Sequence, residues 1–144
     1  MTFTPAELDY LARQPLGRLA TAQPDGTLQV NPVGFRYNPD TGTIDIGGFT
    51  MSTTRKFRNV VNDGRAAFVV DDIVSTDPWR VRCLEIRGVA EAISTPRGKI
   101  EDTENQDSAI IRLHPRRIIG LGIENPDTAP HDLVPNARFI PFPS

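Results

Sequence analysis

The residues best suited to chemistry lie in one run, Ser52-Thr53-Thr54-Arg55-Lys56-Phe57-Arg58-Asn59. Phe57, Val60 and Val61 sit at i, i+3 and i+4, which predicts a short helix from about Thr54 to Asn62 with a buried stripe on those three residues. Asp63-Gly64 supplies the stop. A helix start carries partial positive charge and N–H groups without intrahelical partners, so acidic side chains are favoured there. This start carries Arg55, Lys56 and Arg58 instead, with no acid between Ile46 and Asp63. Each cation is on the wrong end of the helix dipole, at a cost of a few tenths of a kcal/mol. An anion docked there reverses the sign. The hydroxyls of Ser52, Thr53 and Thr54 and the free N–H groups then form a phosphate cradle. The alternative is a short solvated helix that happens to be basic.

A second segment, Gln29-Val30-Asn31-Pro32-Val33-Gly34-Phe35-Arg36, reads as a strand whose backbone a flat ligand can approach closely. Pro32 lacks a donor and Gly34 lacks a side chain. The competing reading is a bulge that serves closure of a barrel. Trp79, the only tryptophan, can stack on a ring or line a pocket mouth, or it can plug a core or an interface. Cys83 reads as a small buried hydrophobe. His114 reads as a strand-end residue and His131 as an exposed tail residue, and neither is expected to act as a catalytic base. No nucleophile elbow, P-loop, dinucleotide fingerprint or metal-ligand spacing is present, and no catalytic side chain or metal site is assigned.

The elements that must position these residues are mostly strands. Thr4, Pro5 and Glu7 form a capping box with proline at the first helical position, and Phe3 and Leu8 are spaced for a hydrophobic staple. The helix they open should bury Leu8, Leu11 and Ala12 and end at Pro15-Leu16-Gly17. Strands are expected over 18–23, 27–37, 43–47, 66–70, 81–93, 109–113 and 117–123. Turns fall at 24–26 and 38–42, a loop over 71–80, a weak helix over 97–106 and a break at His114-Pro115. Six or seven short, mostly antiparallel strands with small helices and no βαβ rhythm describe a mainly β protein. A small closed or partly closed barrel is the economical arrangement, because it removes exposed edges.

Composition limits what such a barrel can be. The chain has 144 residues and 15.9 kDa, room for one domain, with 38% hydrophobic and 24% charged residues. A formal net charge of -2 and a pI of about 5.6 argue against a nucleic-acid binder. One cysteine excludes an internal disulfide framework. No apolar run can span a bilayer and no signal peptide is evident, so the expected location is the cytoplasm, with no membrane partner. Residues 1–124 read as the barrel. Residues 125–144 contain five prolines and read as an extended tail laid over the body or a partner subunit, with Phe139, Ile140 and Phe142 as anchors.

Arg18-Leu19-Ala20-Thr21 with Asp25-Gly26, Val30-Asn31-Pro32-Val33-Gly34-Phe35, Thr54-Arg55-Lys56-Phe57-Arg58-Asn59, Glu85-Ile86-Arg87-Gly88-Val89-Ala90 and Arg112-Leu113-His114-Pro115-Arg116-Arg117-Ile118-Ile119 occur in an order that is informative as a set. Over about residues 3 to 124 the chain resembles the flavin/deazaflavin oxidoreductase superfamily, the FMN-binding split β-barrels similar to pyridoxamine 5′-phosphate oxidase. Within it, the resemblance is to the small actinobacterial proteins known as probable F420-dependent enzymes. It departs at Leu121, where such relatives often carry Trp. The resemblance implies an oxidoreductase that uses coenzyme F420, or alternatively FMN, for hydride transfer to or from a small organic substrate. The alternative activity is non-catalytic binding of flavin, deazaflavin or haem by a carrier or sensor. Thr54, Arg55 and Lys56 at the basic helix start would hold the cofactor phosphate, and Asn31, Pro32 and Val33 would lie beside the ring. Surplus cations such as Arg36, Arg55 and Arg58 would meet the acidic tail of F420. The resemblance also implies a homodimer with the cofactor between subunits, and Trp79 and the tail are candidates to come from the second subunit.

Overall fold

Capping and alternation set the local structure of this computed structural model, which describes residues 2–94 and 108–142. Helix α1 (Pro5–Arg13) starts with the full capping box: Glu7 N–H donates to Thr4 Oγ1 at 3.1 Å, and Thr4 N–H donates to Glu7 Oε1 at 2.9 Å. Its buried face is Glu7, Tyr10 and Leu11, whereas Ala12 is exposed. The expected face of Leu8, Leu11 and Ala12 is therefore rotated. The cause is polar: Tyr10 reaches inward to donate to Asp72 Oδ1 at 2.8 Å, and the Glu7 carboxylate pairs with the Arg138 guanidinium from the far end of the chain.

The strands are β1 (Gly17–Ala22), β2 (Leu28–Val33), β3 (Arg36–Asn38), β4 (Thr43–Ile46), β5 (Arg65–Thr76), β6 (Trp79–Ile93), β7 (Ile110–Leu121) and β8 (Asn136–Phe139). Between β4 and β5 lie a 3-10 turn (Met51–Thr53) and helix α2 (Arg55–Asn62). All eight strands form one antiparallel sheet in the order β2-β1-β5-β6-β7-β4-β3, and β8 also pairs with β7. One edge of β7 is shared. Ile111–Leu113 pair with β4, and Arg117–Gly120 pair with β8. This division splits the barrel, whose core includes Leu19, Ile44, Ile46, Phe68, Leu84, Ile86, Ile111, Leu113 and Ile118.

The strand expectations need three corrections. The loop expected over 71–80 is instead the outer half of a β5–β6 hairpin, paired through Thr76↔Trp79. Ile73, Val74 and Trp79 remain exposed on it, so no core-facing alternation marks it in sequence. The break expected at His114-Pro115 is a continuous strand, and the irregularity is a register shift between Arg87 and Gly88 that leaves Arg116 without a partner on β6, while Pro115 pairs with Gly88. His114 is therefore a mid-strand residue, 3.0 Å from Glu91. The third correction is β8, a strand within the proline-rich tail. The weak helix expected over 97–106 lies outside the described residues. Among the described residues, no helix is long and apolar enough to cross a membrane.

Of the three expected tail anchors, only Ile140 packs against the core. Phe139 and Phe142 are exposed and lie on the Arg117 and Arg116 guanidinium groups at 4.2 and 4.1 Å.

Candidate functional site

Helix α2 is short and has a single stabilised start. Thr54 is its N-cap, accepting from the Phe57 N–H at 3.2 Å. The same hydroxyl donates to the Met51 carbonyl at 2.8 Å, and the Thr53 hydroxyl donates to the Thr50 carbonyl at 2.9 Å. Both hydroxyl protons thus hold the turn together, while the Arg58 guanidinium folds back onto the Thr53 carbonyl at 2.8 Å. What the start offers an anion is cationic. Arg55 and Arg58 are exposed and Lys56 is half-buried, with the first-turn N–H groups that every helix leaves without intrahelical partners. No acid lies in the first turn. The nearest acidic influence is Asp25 in the β1–β2 turn. Hydrogen bonds from Thr27 chiefly hold its carboxyl below the usual range, and Arg55 adds a small part.

The buried stripe of α2 is not the expected one. Phe57 and Val60 are buried, but Val61 is 68% exposed and Asn59 is 1% exposed. With about 100° between successive residues, the helix is rolled toward Lys56 and Asn59. The Asn59 amide accounts for the roll. It donates to Thr21 Oγ1 and to Gln29 Oε1, each at 3.1 Å. Its two acceptors are cross-strand partners on β1 and β2. A polar residue between Phe57 and Val60 was the only sequence signal for this link.

Strand β2 pairs on one side only, with β1, so its other backbone edge is free. Asn31 and Val33 share the face of Gln29, whereas Pro32 points to the other face with the exposed Val30 and Leu28. Pro32 is tolerated because it lies on an edge strand. Adjacent residues Asn31, Pro32 and Val33 therefore share a strand edge and not one side-chain face.

Beyond Val33 the chain opens into a groove of about 390 Å³ lined by Gly34, Phe35, Arg36, Asp45, Gly47 and Ile110. Asp45 forms its floor and is buried. Burial alone would raise its carboxyl. The hydrogen bonds from Arg112 at 3.0 and 3.1 Å, Asn38 at 2.9 Å and Thr43 at 2.8 Å outweigh that effect and hold it below its ordinary value. Arg36 stands 3.8 Å from the same carboxylate and is 68% exposed, so most of its charge faces the groove. Neither Asp45 nor Arg112 stood out in the sequence, because their contact spans 67 positions.

Trp79 is not part of this constellation within one chain. It sits at the tip of the β5–β6 hairpin, while α2 meets β6 near Ala90, whose N–H donates to the Gly64 carbonyl at 2.6 Å. The intervening stretch of strand is about 35 Å long. Burial, with smaller contributions from Asp71 and Glu85, raises the Cys83 thiol above its ordinary value, the opposite of what activates a nucleophilic cysteine. No group of three or more potential metal ligands occurs among the described residues.

A sequence profile of the family described as pyridoxamine 5′-phosphate oxidase matches residues 3–122. The chain belongs to that family of split β-barrels. It is 45% identical over 124 residues to a 5a,11a-dehydrotetracycline/5a,11a-dehydrooxytetracycline reductase of Streptomyces rimosus, covering 86% of each chain. Among solved structures it resembles a pyridoxamine 5′-phosphate oxidase-related FMN-binding protein of Nostoc punctiforme. That match has a TM-score of 0.58 and 15% identity, covering 92% of this chain and 91% of that one. It also resembles a haem-binding protein of Mycobacterium smegmatis, with a TM-score of 0.65 and 16% identity, covering 95% of this chain and 58% of that one. At these identities the two structures speak for the fold alone.

Proposed function

We propose that the chain is an oxidoreductase that holds coenzyme F420, with FMN the alternative, and passes a hydride between it and a small organic substrate. The observation that carries this reading is the acid-free start of α2, bearing Arg55, Lys56 and Arg58 and pinned by Asn59 to the free-edged strand β2. The cofactor's phosphate would be neutralised by Lys56 and Arg55, with Arg58 held beside them by the Thr53 carbonyl. Ser52, Thr53 and Thr54 shape the turn. The edge at Asn31, Pro32 and Val33 would border the ring, and the open space at Gly34 leaves no Cβ to obstruct it. Exposed Arg36 suits the acidic tail that distinguishes F420 from FMN.

When bound, the reduced cofactor supplies the hydride. The protein orients it, neutralises its anion and shields the ring. No side chain is assigned as acid or base; solvent supplies or takes the proton, and a backbone N–H near the ring would only donate a hydrogen bond to it. The 45% identical reductase supports a conjugated, oxygenated polycycle as the substrate class. Haem suits the chain poorly, since His114 is engaged by Glu91 and His131 is 82% exposed in the tail. The functional unit in this reading is a cytoplasmic homodimer with its cofactor between copies, which also gives Trp79 a route to the site.

Fluorescence titration of the purified protein with F420 and with FMN tests the proposal. Tighter binding of F420, followed by oxidation of its reduced form with a dehydrotetracycline-type acceptor, is the expected result. Preference for FMN transfers the reading to the flavin alternative. Binding without turnover of any such acceptor identifies a carrier, and binding of neither cofactor overturns the proposal.

A further inference from the structure

The two halves of the candidate site are carried by elements that share little covalent connection. The cations belong to the start of α2, and the ring-bordering edge belongs to β2, some 20 residues earlier in the chain. Among the described residues, the side-chain hydrogen bonds from α2 to β1 and β2 all leave Asn59. Its two amide protons go to the cross-strand pair Thr21 and Gln29. Thr21 lies on β1, which β5 holds from the other side; Gln29 lies on β2, which has no second neighbour. The Gln29 bond is therefore the one that ties the free-edged strand to the helix.

Its position makes it a lever between the half-sites. Asn59 lies about one helical turn, or 5–6 Å, beyond Arg55 and Lys56. Gln29 lies about 7 Å along β2 from Asn31, on the same face. We infer that Gln29, acting through Asn59, is a positioning residue that sets the spacing between the phosphate-binding helix start and the ring-bordering edge of β2. This inference rests on the functional reading above. Gln29 touches neither half of the ligand in this scheme. It fixes where one half stands relative to the other, and so it matters only to a ligand that engages both.

That selectivity separates positioning from general support of the fold. Gln29→Met keeps the length and volume of a half-buried side chain and removes the acceptor. Binding is measured for FMN and F420, which span both half-sites, and for riboflavin and the phosphate-free deazaflavin ribityl compound, which occupy the ring edge alone. The expected result is at least a tenfold loss of affinity for the phosphorylated cofactors. The phosphate-free ligands should stay within about twofold of wild type, and the melting temperature should be nearly unchanged. Thr21→Val, which removes the other acceptor, should keep phosphorylated-cofactor affinity within about threefold. If Gln29→Met does not fold, Gln29→Ser, too short to reach Asn59, carries the same expectation. Equal loss for all ligands, or no loss for any, overturns the inference while leaving the proposed function standing. Failure of the wild-type protein to bind either phosphorylated cofactor overturns both.

Discussion

Lys56 is half-buried, and the roll of α2 that buries Asn59 also turns Lys56 toward the body, beside exposed Arg55 and Arg58. It is thus the least exposed cation of the three. Lys56→Ala should weaken cofactor binding by about 1.5–3 kcal/mol, the range for a charge-assisted contact, or roughly 10- to 150-fold. Unchanged affinity by calorimetric titration would remove the phosphate from this helix start. Asp45 leads to a different residue-scale expectation. Its folded pKa lies below the ordinary value near ~3.9, so the unfolded chain binds the extra proton in the acid range. The stability it contributes is complete above that ordinary value and is lost as pH falls through the lower folded one. Asp45→Asn should destabilise the protein at pH 7 by about 1–3 kcal/mol, since it leaves Arg112 partly buried without its carboxylate. It should also flatten the acid limb of stability against pH. An unaltered acid limb in urea unfolding between pH 3 and 6 would assign that limb to other carboxylates.

At the scale of elements, the β6–β7 register shift is where close approach replaces pattern. A Cβ added at Gly88 would stand 2.0 Å from the His114 carbonyl oxygen and 3.0 Å from its carbon. Backbone of the neighbouring strand, not a yielding side chain, fills that space. Gly88→Ala should therefore cost at least about 1–3 kcal/mol, whereas Gly34→Ala, with nothing within 4 Å, should be near neutral. Comparable melting temperatures for the two would show that the shift absorbs a methyl group. The same shift explains what the sequence could and could not say. Alternation puts Leu84, Ile86, Gly88, Ala90 and Ala92 of residues 81–93 on one face; Leu84, Ile86 and Ala90 are buried there and Ala92 packs partly buried against the core, because period 2 is a local property. It broke β7 at Pro115, because whether a proline ends a strand depends on what the neighbouring strand does there. The capping box of α1 was legible from a few adjacent residues. The roll of α2, the Glu7–Arg138 pair and the Asp45–Arg112 pair were not, since in each the partner lies far away in sequence and the signal is a polar residue at a buried position.

For the molecule as a whole, the outer face of the β2-β1-β5-β6 sheet is the surface that a single copy leaves unexplained. Leu28 is 76% and Val30 64% exposed on a strand with a free edge, and Val89 is 41% exposed across the same face. Between them run shallow grooves floored by Ala20 and Ala67. A free edge is ordinarily blunted by charge or bulges, and here it carries bare aliphatic side chains. Arg18, Arg87 and Glu85 punctuate the face with both signs of charge, which suits a self-complementary contact. A second copy covering this face would shield the β2 edge and, in the proposed function, bring a hairpin tip with Trp79 to the cofactor site. Sedimentation equilibrium should then give twice 15.9 kDa at micromolar concentration. Leu28→Glu makes the discriminating variant, because a side chain that exposed contributes little to the core of the single chain. It should yield a folded monomer whose cofactor affinity falls together with its mass. A wild-type monomer would refute the shared site, and a monomeric Leu28→Glu protein with undiminished affinity would place the whole cofactor within one chain, leaving Trp79 without a role in it.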